Sequence, residues 1–268
     1  GSEMCIRDRE RYRLESGARS EAVRKGFLHE QSISFGPHQR QTLDLYYPKR
    51  VTGPAPVFVF LHGGGFRGGS PTNVAYMGEA LLKHGAMFAA MTYRLMPEVK
   101  YPDMGEDVEL GLKWVLDNIH GCGGDEGKIY LSGHSAGATL AALLGLRTAW
   151  LKDRGLPEDL VKGLVLISGG YINRREGDDV NKASKHFTAD LSQSVDHPPE
   201  HTILATAEHD LPQCQPSAEA LNAALKARGA SVEFLSRLPA HDHFFVGHEL
   251  ANEDGAIFAA AQRMMGLK

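Results

Sequence analysis

The chain has 268 residues, 42% of them hydrophobic and 23% charged, with a net charge of −4 at pH 7 and a pI near 6.4. That length suits one α/β domain, and no run approaches the roughly 20 apolar residues of a membrane helix. No basic patch offers a field for a polyanion, so neither nucleic acid nor membrane is an expected partner.

Gly1-Ser2 read as a tag scar, and Met4–Arg9 (MCIRDR) resembles the in-frame translation of a transposon-end sequencing adapter. On that reading the gene comes from shotgun assembly of metagenome type and its natural start is replaced. Residues 1–27 are therefore set apart from a single domain at 28–268. No basic segment followed by an apolar one marks a secretory leader. Cys5, Cys122 and Cys214 fit no metal spacing or disulfide framework. They favour a reducing, cytoplasmic compartment, although a replaced start leaves localisation undetermined.

A charged segment, Asp8–Lys25, reads as a helix with little apolar face. Two strands follow, ISFG near Ile33 and Thr42–Tyr47, as an antiparallel pair. Pro56–His62 and Ala86–Tyr93 are continuous apolar runs, as strands buried on both faces would be. Val108, Leu112, Val115, Leu116 and Ile119 recur at helical spacing, which predicts an amphipathic helix over Asp103–His120. Lys128–Gly133 is a short strand leading into a small-residue helix. Gly163–Gly169, Thr202–Ala207 and Val232–Leu238 complete the strands, with helices near Ser217–Arg228 and Glu249–Met265. About eight strands alternating with helices predict an α/β fold, a mostly parallel sheet with its ligand site at the strands' carboxyl ends. Residues 170–199, long and polar, are a lid candidate or a solvated excursion.

Three stretches carry chemistry. GHSAG, Gly133–Gly137, lies between a strand and a helix, the context that exposes and aims a serine hydroxyl. Ser135 is then a nucleophile; a plain helix-capping serine is the alternative. HGGGF, His62–Phe66, ends an earlier strand and presents backbone N–H groups without obstructing side chains. Gly64 and Gly65, with Ala136, would form an oxyanion hole. A phosphate loop would need a following Lys-Ser/Thr, which FRGGS lacks. LPAHDHFF, 238–245, offers His241 and His243, as a base and its neighbour, as metal ligands or as packing residues. A zinc site would need a third protein ligand, and none can be named.

These stretches, with YRLMPEVKYP (93–102) and GGDEGKIYLSGHSAG (123–137), resemble the α/β-hydrolase superfamily from about Ile33 onward. The resemblance is to HGGG-type carboxylesterases, the hormone-sensitive-lipase-like group. It implies an α/β-hydrolase fold, a small-molecule ester substrate, and neither metal nor organic cofactor; a homodimer is left open. It implies a catalytic triad of Ser135, an acid after the strand TILATA, and a histidine after the last strand. Asp210 in AEHD is the expected acid, with Glu208 in reserve. His243 is the expected base, because relatives place an aromatic residue just after theirs and Phe244-Phe245 follow it. His62 and His209 are expected to be structural. Short-chain or aryl esters are the expected substrates, since a lid of this size makes no large apolar cap. RLMPEV and Asp242-His243-Phe244 also resemble kynurenine formamidases, although those usually carry HGGYW where this chain has HGGGF. A binding protein on a hydrolase scaffold is the third reading.

Overall fold

The structure, a computed structural model, describes residues 3–147, 149–172, 190–192 and 195–268. In chain order the elements are α1 (Glu3–Gly26), β1 (His29–Ser34), β2 (Thr42–Tyr46), β3 (Ala55–Leu61), α2 (Glu79–Lys83), β4 (Met87–Met91) and α3 (Tyr101–Asn118). Then come β5 (Gly124–His134), α4 (Ala136–Gly145), α5 (Ala149–Asp153), β6 (Val161–Ile167), β7 (His201–His209), α6 (Cys214–Ala227), β8 (Ser231–Asp242), α7 (His248–Ala251) and α8 (Ala256–Met265). Most of the expected lid, 173–189 and 193–194, lies outside the described residues.

Eight strands form one sheet in the order β1-β2-β4-β3-β5-β6-β7-β8. β1 and β2 pair antiparallel, as the sequence predicts, and β2 joins β4 antiparallel. Every later pairing is parallel. The apolar runs of β3 and β4 are buried because both faces of the sheet are covered. Val57, Val59 and Leu61 face one core with Val108, Leu112 and Val115 of α3 and Leu140 of α4. Phe58 and Phe60 face the other, with Leu81 of α2, Leu250 of α7 and Phe258 of α8.

Three local differences from the sequence reading have physical causes. β5 starts four residues early, at Gly124, because that glycine pairs with Ala55. β8 runs on to Asp242, through two register shifts, so His241 is strand and not loop. The expected helix Glu249–Met265 is broken at Asn252–Gly255, where Asn252 turns extended and Gly255 packs on the backbone of Glu249.

α1 docks although it lacks an apolar stripe. Val23, Ser16 and Ser20 are buried, Ser20 Oγ accepts the Tyr76 N–H at 3.3 Å, and Arg24 donates to the Thr72 carbonyl at 2.8 Å. Among the described residues no helix is long and apolar enough to cross a membrane.

Candidate active site

The parallel pairings bring the carboxyl ends of β3, β5, β7 and β8 to one edge of the sheet, and the motif residues lie there. β5 ends at His134 and α4 begins at Ala136. Between them Ser135 sits at φ 54°, ψ −120°, a conformation an L-residue keeps only when its surroundings enforce it. Here they do. A Cβ at Gly133 would collide with the backbone of Gly137, and one at Gly137 with the Leu61 carbonyl. The Ser135 N–H is held by the Ile167 carbonyl at 2.9 Å. Its side chain caps no helix N–H, which removes the plain capping alternative.

Ser135 Oγ instead lies 2.9 Å from His243 Nε2, and His243 Nδ1 lies 2.7 Å from Asp210 Oδ1. A carboxylate only accepts, so Nδ1 carries the proton and Nε2 is left to accept from the serine hydroxyl. The alignment follows from the register: His209 pairs with Asp242, so the next residue on each strand, Asp210 and His243, emerges side by side. Both are almost fully buried, with 4% and 8% of their side chains exposed.

Burial alone would raise the Asp210 pKa. Hydrogen bonds from His243, from Ser168 Oγ (2.5 Å) and from the Ala207 N–H (3.0 Å) outweigh it and hold the carboxyl well below the usual range. Ser168 was not singled out in the sequence, and the nearby Cys214 only as a cysteine outside any metal or disulfide pattern. Cys214 Sγ donates to the Ser168 carbonyl at 3.3 Å and lies 4.0 Å from His243 Nδ1. Asp210, Cys214 and His243 bring one possible metal-ligating atom each within 4.8 Å of one another, the one such group among the described residues. Nδ1 is engaged with Asp210, and burial pushes the thiol pKa up, so the cluster presents a neutral S–H and not a thiolate.

The remaining candidates separate cleanly. His241 Nε2 pairs with Glu249 Oε1 at 2.7 Å and so does not converge with His243 on a metal. Asp242 Oδ1 accepts the Phe244 and Phe245 N–H groups at 2.8 and 2.9 Å and shapes the turn. Glu208 accepts the Ala240 N–H at 2.9 Å. His134 Nε2 donates to the His243 carbonyl at 2.7 Å and steadies the segment that carries the imidazole. His62 braces the glycine turn: Nδ1 lies 2.8 Å from the Gly63 carbonyl, Nε2 lies 3.0 Å from Thr92 Oγ1, and the ring stacks on Tyr93 at 4.6 Å.

Gly64 and Gly65 adopt φ 128° and 62°. Such angles suit glycine, and a Cβ at Gly64 would strike the Gly68 carbonyl. Gly63, Gly64 and Gly65 line one cavity of about 470 Å³ together with Ser135 and His243. Ala136 is the first residue of α4, where an N–H has no acceptor within the helix. The other walls include Met77, Leu211 and Phe244, and three residues of α1: Tyr12, Arg13 and Ser16. No sequence pattern linked α1 to this cavity.

Two buried imidazoles predict an acid response. Burial holds His62 down to about 4 and His134 to about 3, against about 6.5 in an unfolded chain. Below about pH 6.5 the unfolded chain takes up protons that the folded one refuses. Stability is therefore lost as pH falls from about 6.5 towards the folded values, by up to about 1.4 kcal/mol per pH unit per imidazole. Asp44 and Glu109, raised by burial, pull the other way. Urea unfolding followed from pH 7 to 4 should give a shallower slope in His134→Gln than in the wild type; identical slopes would contradict the assignment.

Comparison with known proteins gives a consistent picture. The profile of the Carboxylesterase family matches residues 104–259, more than half of the chain, and a profile named BD-FAE matches residues 43–161. The chain is 35% identical over 147 residues to a probable isoprenylcysteine alpha-carbonyl methylesterase of Oryza sativa subsp. japonica, covering 53% of this chain and 35% of that protein. The match thus spans about a third of that relative's length. A kynurenine formamidase of Danio rerio is 26% identical over 250 residues, covering 87% of this chain and 81% of that one. Among solved structures, a hyperthermophilic esterase from the archaeon Pyrobaculum calidifontis superposes with a TM-score of 0.71 at 24% identity, covering 97% and 93% of the two chains. At that identity the likeness speaks for the fold alone, and it agrees with the α/β-hydrolase architecture read from the sequence.

Proposed function

The chain belongs to the carboxylesterase family, and from that membership we propose that it hydrolyses small carboxylic esters through a serine acyl-enzyme. The observation that carries this reading is the hydrogen-bonded line from Ser135 Oγ through His243 to Asp210, ending in a cavity lined by the glycine turn. His243 Nε2 takes the serine proton as Oγ attacks the ester carbonyl, and returns it to the departing alcohol. Asp210, held ionised, stabilises the imidazolium formed in between. The N–H groups of Gly64, Gly65 and Ala136 receive the charge on the tetrahedral oxygen, each donor being worth about 10²–10³ in rate. A water activated by the same imidazole then releases the acid. The mechanism needs no metal or organic cofactor.

A cavity of about 470 Å³ is at the modest end of small-molecule sites. Short-chain and aryl acyl groups fit it better than long alkyl chains. The formamidase match over most of both chains supports an amidase as the second reading. A panel of p-nitrophenyl acetate, butyrate, octanoate and laurate with N-formylkynurenine separates them. The expected order has acetate or butyrate first and the formamide slowest. Preference for laurate would overturn the size argument, and faster formamide hydrolysis would replace the esterase reading.

A further inference from the structure

We propose that the rim of the cavity is an acid-group subsite, in which Arg13 of α1 and the side-chain amide of Asn73 select esters carrying a carboxylate remote from the scissile bond. The proposal rests on the serine-esterase reading and names the substrate class of that same cavity.

Arg13 and Asn73 both line the cavity that holds Ser135. Of the residues lining it, Arg13 is the one with a permanent charge, and no carboxylate side chain faces it there. Burial keeps the lining imidazoles of His62 and His134 neutral. A cationic substrate would therefore meet no partner, and a neutral one would leave the guanidinium idle. An anion gains from it.

Three further arginines of α1 are engaged within the protein. Arg11 pairs with Glu15 at 2.8 Å, Arg19 with Glu79 at 3.4 Å and Asn252 at 2.9 Å, and Arg24 with Glu21 at 3.0 Å. Among the described residues the Arg13 guanidinium and the Asn73 amide have no such partner, and both residues line the same cavity and carry only donors on their nitrogens. Guanidinium and amide donors together match the acceptor oxygens of a carboxylate.

The backbone segments that carry the pair are tied down by their neighbours. Tyr12, beside Arg13, packs at 5.7 Å from both Phe244 and Phe245, and its hydroxyl meets Tyr76 Oη at 3.3 Å. Arg24 grips the Thr72 carbonyl, the residue before Asn73, so helix and turn are tied together. Both side chains are exposed in the free protein, so solvent and salt screen the attraction and the effect is moderate.

The test uses the full chain with two p-nitrophenyl esters that differ in charge, the monoanionic hemiglutarate and its neutral methyl ester, followed by p-nitrophenol release. In the wild type the monoanion should be favoured through a lower KM. The anion-to-neutral ratio of kcat/KM should fall roughly three- to tenfold in Arg13→Gln, fall less in Asn73→Ala, and invert in Arg13→Glu. It should also shrink as salt is raised. Unchanged thermal midpoints would show that the variants are folded. Turnover of both esters with the same ratio in wild type and Arg13→Gln would overturn the subsite alone. Failure of the wild type to hydrolyse either ester would overturn the serine-esterase reading and this proposal with it.

Discussion

Replacing Ser135 with alanine is expected to lower kcat on p-nitrophenyl acetate and butyrate by about 10⁴–10⁶-fold, the range seen when a serine nucleophile is removed from an intact site. The size follows from chemistry. Without Oγ no acyl-enzyme forms, and only the oxyanion donors and substrate positioning remain, which still give a residual rate above water. Folding should survive, because the strained elbow is set by Gly133, Gly137 and the Ser135 N–H to Ile167 bond. The paired readouts are initial rates and the thermal midpoint by circular dichroism. Loss of activity with an unshifted midpoint assigns the chemistry to the hydroxyl; full activity would locate the reaction elsewhere, and equal inactivity of wild type and variant would favour the third reading, a binding scaffold.

The second large effect separates the two histidines of LPAHDHFF. His243→Ala removes the group lying between Ser135 Oγ and Asp210 Oδ1, and kcat should again fall by about 10⁴–10⁶-fold, because the two residues act as a unit. His241→Ala removes only a partly exposed pairing with Glu249, 21% and 22% exposed, of a kind worth about 1 kcal/mol or less. It should keep most of its turnover and lose a little stability. The double variant Ser135→Ala/His243→Ala should be hardly slower than either single one. If His241→Ala proved the inactive protein, the base would be reassigned.

The elements that carry these residues were legible because each advertises a local requirement. β3 and β4 are buried on both faces and read as unbroken apolar runs. α3 buries the residues its helical period singled out, with Leu116 only partly covered. GHSAG stood out through its context between strand and helix. The expected acid and histidine came from the chain order that the resemblance implies, since nothing local to Asp210 distinguishes it from Glu208; what sets Asp210 beside His243 is the β7–β8 register, a long-range pairing that no window of sequence contains. The same limit hid Ser168 and Cys214, which matter only because β6 and α6 set them under Asp210. It also hid the contribution of α1. The helix docks through buried serines and Arg–carbonyl contacts, so its pattern reads as solvated although Tyr12, Arg13 and Ser16 wall the cavity. The break before α8 falls at Asn252-Glu253-Asp254-Gly255, a turn-forming run that the reading of one helix over Glu249–Met265 passed over.

The central claim is that Ser135 is the nucleophile, and covalent trapping tests it most directly. The protein is treated with a fluorophosphonate and examined by intact mass and peptide mapping. The expected result is one adduct per chain, on the tryptic peptide Ile129–Arg147, formed in step with loss of ester hydrolysis, slowed by excess butyrate ester and absent in Ser135→Ala. An adduct on another residue that accompanies inactivation, or ester turnover that persists in fully labelled protein, would contradict it.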